Sequence, residues 1–271
     1  MGKFTGRTVI VTGSTRGIGR ETAAAFASSG ATVVVHGRNT GKVEEIAEEL
    51  RSRTGGTIHT VAGDVTEVST AEALRAKAEE LGGCDVLINN AGTSMRGRFA
   101  DIQPEVFKSV LQTNLVGASV ITQSLLPLIT GARGSVVFMS SVSGMRGFPG
   151  ISIYSAAKMG LSALSESLRA ELVGTGVHVG IVYAGYTQND TQKSILGADG
   201  KAIHVNRPHD MTQQEVAEAI VKMVAKRKGE MTLTGKGKLL HVCNRLAPRF
   251  VGEIVRRSGG TFHQMGGASE K

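Results

Sequence analysis

The amino-acid sequence predicts a doubly wound α/β protein with a parallel β-sheet in a single domain. Apolar, β-branched runs alternate with segments of helical periodicity along the chain, which is the pattern of repeated strand–helix units. Two of these runs, residues 33–35 and 136–138, are apolar at every position, as a strand buried on both faces requires. With 271 residues, 41% of them hydrophobic, the chain can bury one large core.

Six strands are predicted, at residues 7–12, 32–36, 58–62, 85–89, 134–140 and 177–183. The segments between them are long enough for helices, and residues 41–53 place four apolar side chains on one helical face, namely Val43, Ile46, Ala47 and Leu50. Pro104 stands where the first turn of a helix tolerates proline, and residues 152–173 also have helical apolar spacing. No repeat or proline-rich linker divides residues 1–257, which are predicted to form one domain. The serine, glycine and polar content of residues 258–271 predicts a flexible tail.

The net charge of +8 is concentrated near the C-terminus. Residues 201–271 contain 13 Lys or Arg against 6 Asp or Glu, whereas residues 1–200 contain 18 against 17. No aromatic interleaving or nucleic-acid-binding motif accompanies these cations. We interpret them as a solvated face and expect no nucleic acid as a partner.

The two cysteines, Cys84 and Cys243, indicate the compartment. They cannot form a disulfide framework, and neither has the spacing of a metal site, so they are expected to be small core residues in a reducing compartment. The sequence has no apolar signal region, and no window approaches about 18 uninterrupted apolar residues. A soluble, cytoplasmic protein is therefore expected.

A glycine-rich loop follows the first strand and opens the first helix. Its residues are Gly13, Ser14, Thr15, Arg16, Gly17, Ile18 and Gly19. A doubly wound, Rossmann-like sheet binds a dinucleotide at this place, because the helix N-terminus offers free N–H groups to a pyrophosphate. Gly13 allows the tight turn, Gly17 allows the backbone to approach the phosphates, and Gly19 lets the helix pack on the strand. An ordinary turn has a similar composition, but the position after the first strand favours a cofactor site.

The end of the second strand predicts which dinucleotide binds. Enzymes that use NAD usually have an acid there for the ribose 2′-hydroxyl, but residues 35–39 contain none. Arg38 at this turn and Arg16 in the glycine loop can supply two cations and forked donors to a 2′-phosphate. NADP(H) is therefore the predicted cofactor. The alternative, two unrelated surface arginines, is disfavoured by their joint position at the two expected turns.

Tyr154 and Lys158 lie four residues apart on a predicted helix, so their side chains project from one face. A free tyrosine, with a pKa of about 10, is a poor acid–base catalyst at neutral pH. A nearby ammonium favours the ionised phenol and brings its pKa towards the working range. The pair is a candidate for proton transfer, although a tyrosine on a helix is more often an amphipathic core residue.

Several motifs in order resemble the short, single-domain branch of the short-chain dehydrogenase/reductase family, over about residues 6–185. They are the glycine loop with its Gly-x-x-x-Gly-x-Gly spacing, Asp64-Val65 after the third strand, Asn89-Asn90-Ala91-Gly92 after the fourth, Asn114 within a long helix, Ser141 after the fifth strand, and Tyr154-Ser155-Ala156-Ala157-Lys158. Chance agreement of all six is negligible. The resemblance implies one Rossmann-like domain and a role for each matched residue.

The resemblance implies cofactor contacts by four further residues. Asp64 and the backbone of Val65 would contact the adenine ring, and Asn90 would lie beside the adenosine ribose. A helix cap for Asp64 and a turn for Asn90 are the alternatives. After the sixth strand, many relatives have a proline and a threonine against the nicotinamide carboxamide. This chain departs from that pattern, and Thr187 is expected to make the contact through its backbone or hydroxyl.

The resemblance also implies the catalytic residues. Ser141 would hydrogen-bond the substrate oxygen, with Ser140 as its nearest competitor, and Tyr154 would give that oxygen a proton in the reductive direction. Lys158 would stabilise ionised Tyr154 and bind the nicotinamide ribose, and Tyr154 is likewise expected to contact the cofactor. Asn114 would hold a water in a proton relay that reaches Lys158. This chemistry needs no metal.

The resemblance therefore implies a carbonyl reductase or alcohol dehydrogenase that transfers a hydride between the nicotinamide of NADP(H) and a carbonyl or secondary alcohol carbon of a small molecule. Epimerases and dehydratases of the longer branch share Tyr-x-x-x-Lys, but the short chain and the glycine spacing disfavour them. A dinucleotide-sensing or regulatory protein on the same fold is the alternative from another class. It would be expected to lack Ser141, Tyr154 or Lys158. A homodimer or homotetramer is expected through the helices that begin near Pro104 and Ser152.

Two segments are expected to depart from the family. Residues 187–211 are polar and irregular and are predicted to form a lid over the substrate, with a short helix. Residues 236–257 form a basic amphipathic region, interrupted by Pro248, where many relatives have a seventh strand. This region fits an anionic membrane surface, a covered hydrophobic flank or a subunit interface, and its short apolar face disfavours the membrane.

Overall fold

A seven-stranded parallel β-sheet lies at the centre of the computed structural model, which describes residues 2–188, 194–204 and 209–266, with residues 258–266 described by their backbone alone. The ten strands are β1 (Thr8–Val11), β2 (Thr32–Gly37), β3 (Ile58–Ala62), β4 (Val86–Asn89), β5 (Met95–Arg96), β6 (Ser135–Ser141), β7 (His178–Ala184), β8 (Ser194–Gly197), β9 (Ala202–His204) and β10 (Glu230–Thr232). The main sheet has the order β10-β7-β6-β4-β1-β2-β3, and all its neighbours are parallel. The other three strands form a small second sheet.

Helices cover both faces of the main sheet. They are α1 (Gly17–Ser28), α2 (Thr40–Thr54), α3 (Val68–Glu80), α4 (Pro104–Leu111), α5 (Gly117–Gly131), α6 (Ser152–Glu171), α7 (Gln213–Lys226), α8 (Gly235–Leu246) and α9 (Pro248–Gly266). A π-helical turn, Gln112–Val116, joins α4 to α5.

The strands are buried on both faces because successive side chains point to opposite sides of the sheet. Val9 and Val11 pack with α1, α2 and α7 in one core, whereas Ile10 packs with α3, α5 and α6 in the other. All three side chains are fully buried. The doubly wound α/β fold predicted from the continuous apolar runs is therefore confirmed.

A short seventh strand, β10, corrects the expectation that this chain lacks one. Residues 230–232 pair in parallel with β7 between α7 and α8. The strand lies at the edge of the sheet, and none of its residues is fully buried. β10 has three residues, of which only Met231 is apolar. It therefore lacks the apolar run by which the six strands were predicted.

The predicted lid, residues 187–211, contains strands in its described part. β8 and β9 form an antiparallel hairpin, and β8 also pairs in parallel with β5. Residues 194–204 contain no helix, and the short helix expected within residues 187–211 stays a prediction. The chain reverses at Gly200, which has a φ of +80°. Residues 189–193 and 205–208 of the predicted lid lie outside the described residues.

The basic C-terminal region, residues 236–257, is helical and belongs to α8 and α9. The break between the two helices falls at Ala247, because a residue before proline is disfavoured in helical conformation. α9 continues to Gly266, so the helix passes the boundary at which the sequence predicted a flexible tail. Residues 267–271 of that tail lie outside the described residues.

One helical stretch in the described part of the chain, Pro104–Gly131, is long and apolar enough to cross a membrane by length and composition. Polar residues interrupt its apolar ones, so the criterion of about 18 uninterrupted apolar residues did not predict it. In this fold the stretch packs against α3 and α6. We interpret it as a core helix of the domain.

Candidate active site

The carboxyl ends of the central strands open onto a cavity of about 1940 Å³. Pockets for drug-sized ligands span about 300–1,000 Å³, so this cavity has room for a dinucleotide together with a substrate. It includes the point between β1 and β4 where the strand order reverses, which is where doubly wound sheets bind their ligands. The predicted site residues that line it are Gly13, Thr15, Arg16, Gly17, Ile18, Gly19, Arg38, Asp64, Val65, Asn90, Asn114, Ser141, Tyr154, Lys158 and Thr187.

Ser14 is the one predicted residue of the glycine loop that does not line the cavity, and its contact with the cofactor stays a prediction. Its buried hydroxyl donates to the carbonyl of Val11 at 2.7 Å and accepts from the backbone N–H of His36 at 2.9 Å. Its own backbone N–H donates to the carbonyl of His36 at 2.8 Å. Ser14 therefore ties the glycine loop to β2.

The glycine loop fits a pyrophosphate. Gly13 and Gly17 have φ values of +61° and +58°, which favour glycine. A Cβ at Gly13 would lie 2.8 Å from the Cα of Ala91, and a Cβ at Gly19 would overlap the carbonyl oxygen of Gly13. Beside Gly17, by contrast, the nearest atom to such a Cβ is Nε2 of Gln213 at 3.9 Å. The backbone at Gly17 is therefore open to an anion in the cavity.

Asn90 holds the glycine loop from the neighbouring strand. Its Nδ2 donates to the carbonyls of Thr12 and Gly13 at 3.0 and 2.9 Å. The backbone N–H groups of Asn90 and Ala91 both donate to Oγ1 of Thr12 at 3.0 Å. These bonds fix the turn on which the cofactor site depends.

The end of the cavity at Asp64, where the sequence predicts that the adenine ring binds, is here called the adenosine end; Arg38 lies there, and Arg16 also lines the cavity. Nη1 of Arg38 lies 3.9 Å from Oδ2 of Asp64, and the Arg38 side chain is 79% exposed. The other oxygen of Asp64 accepts from the backbone N–H and the hydroxyl of Thr66 at 2.9 Å each. Lys42, which the sequence analysis did not single out, lines the same end. Such an end suits an anionic group better than a neutral ribose hydroxyl.

His36 is a further residue that the sequence analysis missed. It is 1% exposed beneath the glycine loop, and its Nδ1 accepts from the backbone N–H of Gly13 at 3.2 Å. Burial lowers the pKa of His36 to about 4, although the carbonyl of Gly63 and the charge of Asp64 act in the opposite direction. The neutral ring with its proton on Nε2 is therefore part of the loop's support.

We expect acid to destabilise the protein partly through His36. An unfolded imidazole has a pKa near 6.5 and the buried one a pKa of about 4, so between these values the unfolded state binds more protons. The free energy of unfolding should fall as the pH falls through this window, by about 3 kcal/mol from this residue. Denaturant unfolding of the wild type and of His36→Asn at neutral and acidic pH measures the effect.

His36→Asn should be less stable than the wild type at neutral pH and should lose less stability on acidification. His178, whose pKa burial also lowers, is present in both proteins and cancels from the comparison. Equal losses in the two proteins would contradict the assignment to His36.

Tyr154 and Lys158 lie together on the first turns of α6, as their spacing predicts. Nζ of Lys158 lies 5.7 Å from the centroid of the Tyr154 ring. It also donates to the carbonyl of Met139, the third-last residue of β6, at 2.8 Å, and Lys158 is only 5% exposed. A buried ammonium next to a phenol favours the ionised phenol, because its positive charge attracts the phenolate. This attraction compensates for the solvation that burial removes.

The end of β6 distinguishes Ser141 from Ser140. The hydroxyl of Ser140 is buried and donates to the carbonyl of Lys158 at 3.1 Å. The hydroxyl of Ser141 accepts from the backbone N–H of Ser143 at 3.2 Å. It donates to none of the described residues, so its proton is available to a ligand in the cavity.

Asn114 lies in the π-helical turn between α4 and α5, a feature common at functional sites. Its Nδ2 donates to the carbonyls of Val110 and Thr93 at 2.8 Å each. Its Oδ1 is buried and accepts no hydrogen bond from the described residues. A Cβ at Gly92 would lie 2.7 Å from this oxygen and 3.6 Å from Nζ of Lys158. Gly92 therefore keeps open the space between the amide and the ammonium.

The sequence analysis also missed residues on helices that line the cavity. Ser109 and Thr113 lie on the stretch that carries Asn114, and residues 212–214 begin α7. Ser109 and Thr113 are one helical turn apart and share a helix face, but neither is three or four residues from Asn114, so helical spacing from Asn114 does not identify them. Residues 212–214 gave no signal either, because only the fold brings α7 to the glycine loop.

A doubly wound sheet whose glycine loop, tyrosine and lysine surround one cavity defines the class of oxidoreductases that use a nicotinamide dinucleotide. Residues 7–200 match the family model of short chain dehydrogenases. Mouse "Dehydrogenase/reductase SDR family member 7B" is 35% identical over 234 residues, which cover 83% of this chain and 72% of the relative. "Ketoacyl reductase HetN" of Nostoc sp. is 32% identical over 267 residues, which cover 96% and 91%. The chain belongs to the short-chain dehydrogenase/reductase family.

A solved structure supports the fold. The alcohol dehydrogenase of the archaeon Thermococcus sibiricus, complexed with 5-hydroxy-NADP, superposes with a TM-score of 0.73 and is 24% identical. The match covers 84% of this chain and 96% of that chain. At this identity the likeness concerns the fold alone.

Proposed function

We propose that the protein is an NADP(H)-dependent carbonyl reductase or alcohol dehydrogenase that acts on a small molecule. One observation carries the proposal: Ser141, Tyr154 and buried Lys158 line the cavity that the glycine loop also lines. NADP(H), when bound, supplies the hydride for the carbonyl carbon or accepts it from the alcohol. The protein's own residues supply the binding and the proton.

Proton transfer is assigned to Tyr154. In the reductive direction its hydroxyl gives a proton to the substrate oxygen as negative charge develops there, while the Ser141 hydroxyl donates a hydrogen bond to the same oxygen. The ammonium of Lys158 stabilises the phenolate that remains. In the oxidative direction the same phenolate takes the proton of the alcohol.

Asn114 is assigned a part in proton resupply. Its buried Oδ1 can accept from a water, and a buried polar atom without a protein partner commonly has such a water. The space beside Gly92 connects this oxygen with Nζ of Lys158. A water there would pass protons towards Lys158 and Tyr154.

The preference for NADP(H) rests on the adenosine end of the cavity. Arg16 and Arg38 line it, and residues 35–39 include no acid that would repel a 2′-phosphate. Guanidinium groups bind phosphates with paired, charge-assisted hydrogen bonds. We therefore expect NADPH to bind more tightly than NADH.

The proposal is tested by following the oxidation of NADPH by absorbance against a panel of ketones, diketones and aldehydes, with NADH in parallel. Turnover that prefers NADPH is expected. Turnover that prefers NADH would refute the roles of Arg16 and Arg38. Tight binding of NADPH without turnover of any carbonyl would refute the reductase and favour the dinucleotide-sensing alternative.

Replacing Ser141 by alanine should lower kcat/KM by about a hundredfold, because it removes a hydrogen bond to the developing oxyanion. The matched control is Ser140→Ala, in which the lost bond is to the Lys158 carbonyl. That variant should lose about 1 kcal/mol of stability and much less activity. A larger loss of kcat/KM in Ser140→Ala would reverse the assignment.

We also propose a cytoplasmic homodimer or homotetramer. Burial raises the pKa of the Cys84 thiol to about 12, which keeps it unreactive, as suits a structural cysteine in a reducing compartment. Phe99, Val116 and Met159 are exposed apolar side chains on and near α4, α5 and α6. Exposed apolar side chains on neighbouring helices suit contacts between subunits.

A further inference from the structure

A stripe of large apolar side chains is exposed along α8 and α9. Five residues form this stripe, here called the C-terminal stripe. They are Leu239 (66% exposed), Val242 (51%), Leu246 (81%), Phe250 (63%) and Ile254 (52%). The described residues have eleven exposed large apolar side chains, and these five lie within sixteen consecutive residues. Within each of the two helices their spacing of three or four residues follows the helical repeat. Such a concentration marks an interaction surface.

The other side of α8 and α9 is held against the domain. Asn244 donates to the carbonyl of Met145 at 3.0 Å and accepts from Nη1 of Arg146 at 3.2 Å. Nδ1 of His241 lies 3.2 Å from a carboxylate oxygen of Glu230. Gly237 is buried, and a Cβ there would lie 3.1 Å from the side chain of Val142; at Gly252 of α9, a Cβ would lie 2.6 Å from Nη2 of Arg146. The C-terminal stripe is therefore presented outward from a fixed support.

The residues around the stripe are strongly basic. Between residues 235 and 257 there is one acid, Glu253, and there are six cations, namely Lys236, Lys238, Arg245, Arg249, Arg256 and Arg257. Glu253 is already hydrogen-bonded by Arg256 at 2.7 and 2.8 Å and by Arg257 at 2.8 Å. Lys236 pairs with Asp210 at 3.0 Å, which leaves the region with a clear excess of positive charge.

This charge distinguishes the occupants that could cover the stripe. From its sequence, this region was expected to cover a hydrophobic flank or to form a subunit interface, but the five stripe residues are exposed and cover no flank in the described part of this chain. A twofold interface would bring the same basic surface of two copies face to face, and juxtaposed like charges oppose association. An anionic bilayer suits both the apolar stripe and the basic residues around it. Apolar side chains enter the acyl boundary, while arginines and lysines reach the headgroup phosphates.

We infer that the C-terminal stripe binds the surface of an anionic lipid membrane, with α8 and α9 lying in the interfacial plane. The domain then rests on the membrane without crossing it. The inference does not depend on the proposed reaction, because none of the five stripe residues lines the cavity.

Sedimentation with lipid vesicles tests the inference on the full chain. The wild type should sediment with phosphatidylcholine vesicles that contain phosphatidylserine and should bind much less to phosphatidylcholine alone. Leu246→Glu and Phe250→Glu should each weaken binding by about tenfold to a hundredfold, because each removes a large apolar side chain from the bilayer. Arg245→Gln and Arg249→Gln should each weaken binding to the anionic vesicles by about fivefold.

The matched control is Val173→Glu, which places the same acid at a 79% exposed apolar position outside the stripe and should bind like the wild type. Circular dichroism and NADPH binding establish that each variant is folded. Sedimentation velocity without lipid should give the same oligomer for all variants. Failure of the wild type to bind anionic vesicles, or unchanged binding by Leu246→Glu and Phe250→Glu, would overturn the inference. A smaller oligomer for those two variants would assign the stripe to a subunit interface instead.

Discussion

Tyr154→Phe should nearly abolish carbonyl reduction and leave the binding of NADPH intact. The substitution removes one hydroxyl and keeps the ring beside Lys158. General acid catalysis by a positioned side chain contributes about a hundredfold to ten-thousandfold, and kcat/KM should fall by a factor in that range. Steady-state kinetics measure the loss, and titration of the intrinsic fluorescence of NADPH measures the binding.

Tyr183→Phe is the matched control, since it makes the same chemical change in a tyrosine that is buried in the core. The hydroxyl of Tyr183 donates to Oγ of Ser162 at 3.0 Å, and Tyr183 is not among the residues that line the cavity. This variant should lose about 1 kcal/mol of stability and keep turnover within a few-fold of the wild type. Wild-type turnover by Tyr154→Phe would mean that another group supplies the proton.

Arg38→Asp should reverse the cofactor preference. The change removes a cation from the adenosine end of the cavity and places a second carboxylate near Asp64, so a 2′-phosphate would meet two acids. Loss of a charge-assisted bond costs about 1.5–3 kcal/mol, and kcat/KM with NADPH should fall by a hundredfold or more once the repulsion is included. With NADH it should rise, because the new acid can accept from the ribose 2′-hydroxyl.

Arg75→Asp tests whether charge alone explains this result. Arg75 lies on α3, is 46% exposed and pairs with Glu79 outside the cavity. Arg75→Asp changes the net charge by the same amount as Arg38→Asp, and it should leave the ratio of NADPH to NADH activity unchanged. If Arg38→Asp still prefers NADPH as strongly as the wild type, the phosphate is bound elsewhere in the cavity.

The sheet could be predicted because its strands are buried on both faces. Burial makes residues 33–35 and 136–138 apolar at every position, and such runs are legible without a structure. β8, β9 and β10 are three or four residues long and only partly buried, so their sequences carry no comparable pattern. Their formation depends on partners distant in sequence, such as β5 for β8 and β7 for β10.

The candidate site was predictable where function depends on local spacing. Tyr154 and Lys158 meet because four residues span one helical turn. Which residue of a loop faces inward is decided by contacts with other strands, and for this reason the sequence did not predict that the Ser14 hydroxyl bonds to β1 and β2. His36 escaped notice because a neutral, buried imidazole leaves no motif, although it supports the loop through Gly13.

The transfer of hydrogen from the cofactor is the most direct test of the proposed reaction. The protein would be incubated with a reactive carbonyl and with NADPH that carries deuterium at the transferable position of its nicotinamide ring. We expect an alcohol with deuterium on the former carbonyl carbon, formed about a hundredfold to ten-thousandfold more slowly by Tyr154→Phe. Bound NADPH with no alcohol formed, or an alcohol without deuterium, would contradict an oxidoreductase that transfers hydride between NADP(H) and a carbonyl carbon.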